Sequence, residues 1–365
     1  MLKRFAPFLS MSVLLVLLGT ISLTSNILLS IFLPLESIPK WRTPHDLYDH
    51  RESNAILHVV TTRFMQNQPD LVALGKARLL LFETFCLPTL INQNVTNFIW
   101  FIMVDPELDI TLLDRLKAML VPFPHFYLVL SNDSILTPQT LINATSETRI
   151  LTGDHNKLYS LMLDLNRPLL LETRLDADDG LHSKTLFQIQ ETARSLPVDS
   201  TGWQIVCNGF HFEWRNNDIF VSNNTIMNTG NLRLVKENIC VTPGYTFVRH
   251  RKPGSIAFPP WPELGHQQIT KVWPHCNDQR AKSTTNCWVK LGKYPAALRP
   301  RTITSAGMRR VETMPGISDY DNQTEAMWKY VEKEFMIMPQ KALLISRYMQ
   351  ENLASIVKDN LKGQW

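Results

Sequence analysis

The chain has 365 residues, 44% of them hydrophobic and 19% charged, with a formal net charge of +4. That is enough apolar chain for the core of one large domain, and too weak a charge for its length to argue for nucleic-acid binding. No CxxC or HxxxH spacing supports a structural zinc site.

The chain opens Met1-Leu2-Lys3-Arg4 and then carries no charge from Phe5 to Leu35. Such a stretch exceeds the roughly 20 apolar residues that cross a bilayer, and the basic pair on its short side predicts a cytosolic N-terminus. Residues 1–4 therefore read as a tail, 5–35 as a transmembrane signal-anchor and 36–54 as a polar stem. A cleaved signal peptide with its apolar core at Val13–Leu18 is the rival reading. Both place the body outside the cytosol. Five Asn-x-Ser/Thr sequons (Asn94, Asn132, Asn143, Asn223, Asn322) agree with that compartment. So do five cysteines, with Cys207–Cys240 and Cys276–Cys287 as plausible pairs and Cys86, in an apolar helical context, as the buried free thiol.

Strand and helix signals alternate from Ala55 onward. Ala55–Thr62, Phe98–Val104 and Phe126–Leu130 are short apolar runs and predict buried strands. Leu71–Leu90, Leu108–Leu120 and Lys157–Leu165 have helical spacing between them. Leu169–Leu175 predicts a fourth strand and Lys184–Leu196 a further helix. Gln204–Phe212, Asp218–Val221 and Ile239–His250 have strand character, whereas Gly254–Lys293 is irregular and rich in Pro, Trp and His. Glu325–Lys362, interrupted at Pro339, predicts two amphipathic helices. Uniformly apolar strands alternating with helices imply an α/β fold with a mainly parallel sheet.

The fourth strand runs into Asp176-Ala177-Asp178-Asp179-Gly180. Three carboxylates so close repel one another unless a cation neutralises them. On an extended chain Asp176 and Asp178 point the same way, and hard oxygen donors of this kind suit Mg²⁺ or Mn²⁺ together with substrate phosphates. The plainer alternative is a solvated acidic turn ahead of the next helix. Ligands of open α/β sheets bind at the carboxyl ends of strands. Thr62, Arg63, Asp105 and Asp176–Asp179 all fall there, which is what a nucleotide-sugar site needs. Arg63 would face a phosphate, Asp105 a base or ribose, and the acidic run a metal on the diphosphate. Glu263, in the Pro259–His266 segment beside Trp261, is the candidate general base for an acceptor hydroxyl.

Phe82–Leu90, Asn97–Trp100, Thr173–His182 and Thr304–Met308 resemble blocks of a family described as "putative rhamnosyltransferase". The acidic DxD behind a cytosolic tail and one span also resembles Golgi type II glycosyltransferases of the GT-A fold. The resemblance implies a GT-A-like mixed sheet flanked by helices over residues 55–312, with C-terminal helices over 313–365 packing on it. It implies a nucleotide-sugar donor, a glycan or glycoprotein acceptor, and a Mn²⁺ or Mg²⁺ ion in the Golgi lumen. Asp178 and Asp179 would then be metal-side, Asp176 would face ribose or metal, and a late histidine, His266 ahead of His275, would add a metal or phosphate contact. A metal-dependent phosphohydrolase and a non-catalytic lumenal binding protein are the competing functions.

Overall fold

In the computed structural model, β2 (Phe98–Val104) and β3 (Phe126–Leu130) are apolar on both sides because both sides are covered, whereas β1 (Ile56–Phe64) and β4 (Leu169–Arg174) begin apolar and turn polar towards their carboxyl ends. Ile56, Val60 and Phe64 pack with Trp100 and Phe126 in one core layer; Leu57 and Val59 pack with Phe101 and Tyr127 in the other. The structure describes residues 56–131, 149–163, 169–196, 203–215, 231–236, 243–250, 288–292, 294–305 and 325–363. All lie within one compact unit, Tyr48–Trp365.

The remaining strands are β5 (Gly180–Leu181), β6 (Trp203–Asn208), β7 (Phe210–Arg215), β8 (Asn231–Lys236), β9 (Tyr245–His250), β10 (Trp288–Leu291) and β11 (Ala297–Arg301). Seven strands form a mixed sheet in the order β10-β6-β9-β4-β1-β2-β3. Only β9 runs against its neighbours β4 and β6. A second sheet, β5-β11-β7-β8, adjoins the end of β4. The segment Gln204–Phe212, read from sequence as one strand, divides at Gly209. Its first half joins the large sheet through β10 and β9, and its second half joins the small one.

Helix α1 (Val72–Leu81) passes through one π-helical turn, Phe82–Cys86, into the short α2 (Leu87–Ile91). Then come α3 (Ile110–Leu120), α4 (His155–Leu163) and α5 (Thr185–Ser195). The C-terminal segment holds three helices where two were expected: α6 (Glu325–Phe335), α7 (Pro339–Glu351) and α8 (Leu353–Lys362). The extra break falls at Asn352, whose side-chain amide turns back to donate to the Tyr348 carbonyl at 2.9 Å.

Among the described residues no helix is long and apolar enough to cross a membrane; residues 5–35 lie outside them. Cys86 is free and buried, as expected. Cys207 is disulfide-bonded, and Cys240, Cys276 and Cys287 lie outside the described residues. Of the sequons, Asn94 is described and exposed.

Candidate functional site

Strand β4 ends where its last sheet bond is made, Leu175 N donating to Thr61 O at 3.0 Å. The chain then turns, with Asp179 N donating to Asp176 O at 3.0 Å. The acidic run is thus a turn and not the extended segment assumed from sequence, so the turn, and not strand alternation, gathers its carboxylates. Gly180 follows because nothing larger fits. A Cβ there would stand 2.8 Å from the Phe85 carbonyl oxygen and 3.0 Å from Thr89 Cγ2. Leu181 N donates to Thr89 Oγ1 at 3.0 Å. Beyond it, His182 stacks on Tyr294 with ring centroids 4.2 Å apart. Its Nδ1 accepts from Lys184 N, so Nε2–H donates to the Tyr330 hydroxyl at 3.1 Å. Burial holds His182 at about 4 despite Glu334 nearby, so it is neutral at neutral pH.

The three aspartates differ in exposure. Asp176 is exposed, Asp178 half-buried and Asp179 1% exposed. Loss of water, then repulsion from Asp176, raises Asp178 to about 6, against a smaller pull from Arg78 and Arg299. Burial, Asp178 and Asp176 push Asp179 well above the usual carboxylate range, against Arg299 and Arg301. The Oδ2 atom of Asp179 is buried without a hydrogen-bond partner. Carboxylates raised by burial and by mutual repulsion, one with an orphaned oxygen, form a site that gains by taking up a cation. Among the described residues no group of three or more His, Cys, Asp or Glu side chains is placed to hold a metal ion, the acidic run included. An ion held here would rest on one or two of these carboxylates, with water or phosphate supplying the rest of its shell.

The other expected contacts are placed as follows. Thr62 is 1% exposed, and its Oγ1 accepts from Trp100 Nε1 at 2.9 Å, a contact inside the core. Arg63 is exposed at the end of β1. Asp105 is buried and organises loops: Oδ2 accepts from Asn67 N at 3.0 Å and Oδ1 from Glu107 N at 2.9 Å. It thereby holds a strained turn after β1, in which Met65 and Asn67 have φ of 53° and 57°. Glu263, His266 and His275 lie outside the described residues.

The structure adds a residue the sequence reading passed over. Arg78, on α1, is half-buried and lies in the field of Asp178 and Asp176. Its Nη1 donates to Gln68 Oε1 at 2.6 Å, while Nε and Nη2 donate to the Thr304 carbonyl at 3.2 and 3.1 Å. The available signal was an arginine two residues after Lys76 on a mostly apolar stretch. Opposite lies the small sheet. Its register pairs Leu298 with Gly180 and Arg299 with Glu213, so one step past β5 Asp179 stands level with Arg299. Glu213 pairs in turn with Arg233 and Arg301. The acidic run is thus the end of a row of alternating charge.

Three of the sequence blocks that carried the resemblance meet here. Phe85 and Thr89 wall Gly180, Thr173–His182 carries the acids, and Thr304 holds Arg78. Residues 74–207 match the family model described as "Putative rhamnosyl transferase", which supports the resemblance and points to a transferase. No match is found among curated proteins. Among solved structures, the crystal structure of 4-diphosphocytidyl-2C-methyl-D-erythritol synthase from Anaerococcus prevotii is similar at 11% identity and a TM-score of 0.26, over 67% of this chain and 91% of that one.

Proposed function

We propose that the chain is a metal-dependent glycosyltransferase that moves a sugar, rhamnose in keeping with the matched family, from a nucleotide-sugar donor to a hydroxyl of a glycan or glycoprotein. The observation that carries this reading is the acidic turn at the carboxyl end of β4, with repelling carboxylates on one side and Arg78 on the other. The mixed seven-stranded sheet with its single reversed strand is in keeping with a GT-A-like fold. In this reading Asp176 and Asp178 hold Mn²⁺ or Mg²⁺, and Asp179 completes the charge from its buried position. When bound, the ion supplies Lewis-acid stabilisation of the departing diphosphate. Arg63 and Asp105 contribute from the ends of β1 and β2, and Glu263 and His266 retain the base and metal roles proposed from sequence. Thr62, turned to Trp100, supports that region from within the core.

The compartment belongs to the same proposal: a single-pass type II Golgi protein with a lumenal body, or its secreted form. The apolar stretch 5–35 after Lys3-Arg4, the exposed Asn94 sequon and the disulfide at Cys207 support it. A two-metal phosphohydrolase would need a second cluster of ligands, and none gathers among the described residues.

The test is a panel of nucleotide sugars and nucleoside diphosphates added to the full chain with and without Mn²⁺, followed by thermal unfolding. A ligand at 100 times its dissociation constant adds about 2.7 kcal/mol. A metal-dependent rise for at least one ligand is expected. The absence of any rise across the panel would reject the transferase.

A further inference from the structure

We propose that Arg78 is a catalytic contact to the donor's diphosphate that acts independently of the metal, taking up charge on the leaving nucleoside diphosphate. The inference rests on the transferase reading and adds an anion-binding residue to it.

The geometry separates Arg78 from an ordinary counter-ion. Every acceptor it reaches is neutral: Gln68 Oε1, the Thr304 carbonyl, and Met65 Sδ at 3.4 Å. It forms no ion pair with any described carboxylate, although Asp178 and Asp176 are near enough to favour its charge. A half-buried cation without a paired anion is costly, and an arriving anion would relieve that cost. Its partners come from two segments, the strained turn after β1 and the loop after β11. They fix the guanidinium plane, so little freedom is lost when a ligand binds.

The charge balance names the ligand. A divalent cation on the acidic turn and the Arg78 guanidinium are like charges facing one site. An anion carrying at least two charges that bridges them removes that repulsion, as a diphosphate does. During transfer the bond from the anomeric carbon to the diphosphate oxygen breaks, and its electron pair stays on that oxygen. The acceptor oxygen forms the new bond to carbon, and its proton passes to a base. The diphosphate gains one negative charge, which Arg78 is positioned to meet.

The experiment is calorimetric titration of the full chain with UDP, GDP and dTDP and with the matching nucleosides, in Mn²⁺ and in EDTA. Wild type is compared with Arg78→Gln. For whichever diphosphate binds, Arg78→Gln should weaken affinity about tenfold or more in both buffers, leaving the nucleoside unchanged. Unchanged diphosphate affinity, or equal losses for nucleoside and diphosphate, would mean that Arg78 only stitches the loops. Wild type provides a check that needs no variant: in EDTA the diphosphate should outbind its nucleoside, and equal binding overturns the inference. Failure of wild type to bind any diphosphate even with Mn²⁺ would instead remove the transferase reading itself.

Discussion

The carboxylate of Asp359 accepts the backbone amide of Ala73 at 2.9 Å, and that of Leu74 at 3.3 Å. Helix α8 thus caps helix α1, whose preceding residue Leu71 has no side chain able to do so. Unpaired amides at a helix start cost stability, and losing a cap typically costs about 1 kcal/mol. Asp359→Ala should lower stability by about that amount in urea unfolding. Because α1 carries Arg78, the variant should also weaken nucleotide binding. A variant as stable as wild type would show that the cap contributes nothing.

Gly180→Ala places a methyl group against the Phe85 carbonyl. Backbone cannot yield as a flexible side chain can, and overpacking of this kind costs about 1–3 kcal/mol. The turn that gathers the aspartates must shift as well. Loss of metal-dependent nucleotide binding together with a lower melting temperature is expected. Intact binding would mean that the turn tolerates displacement.

Glu213 gives the pH dependence. Burial alone would raise its pKa, but His211, with Nε2 3.7 Å away, the hydrogen bond from Arg233 and the charges of Arg301 and Arg233 prevail and hold it at about 2. A depressed carboxylate stabilises the fold fully above its unfolded value of 4.5, and that contribution is lost as pH falls towards 2. Glu213→Gln should therefore cost about 2 kcal/mol at pH 7, with the gap to wild type narrowing below pH 4.5. A gap that stays constant down to pH 3 would contradict the assignment.

Asp178 behaves in the opposite sense. Raised to about 6, it disfavours the fold while ionised, and the cost is relieved as pH falls through 6 towards its unfolded value of 3.8. Asp178→Asn should raise the metal-free melting temperature at pH 7.5, by about 1 kcal/mol of stability, and make little difference at pH 4. The same change should abolish stabilisation by Mn²⁺ with nucleotide. A less stable variant at pH 7.5 would show that Asp178 supports the fold and carries no functional strain.

The first strands were legible because burial on both sheet faces leaves an uninterrupted apolar run, as in Phe98–Val104. At Gly209 the Asn208-Gly209 pair marks a candidate break, but the change of sheet depends on which strands lie alongside, which no local pattern encodes. Asn352 ends a helix with a weaker local signal than Pro339, so three helices read as two. At the site the acidic run stood out by its charge. The inward turn of Thr62 follows from register against Trp100 in the next strand, which no local pattern encodes. Arg78 stayed hidden for a related reason, since its partners Gln68 and Thr304 lie 10 and 226 positions away.

The central claim is that the acidic turn binds a nucleotide sugar through a divalent cation. Its most direct test is equilibrium titration of the full chain with the nucleotide sugar that stabilises it best, in Mn²⁺ and in EDTA, for wild type and Asp178→Asn. Tight binding by wild type in Mn²⁺, weakened in EDTA and equally weak in the variant under both conditions, is the predicted result. Binding by Asp178→Asn with wild-type affinity and wild-type metal dependence would contradict it.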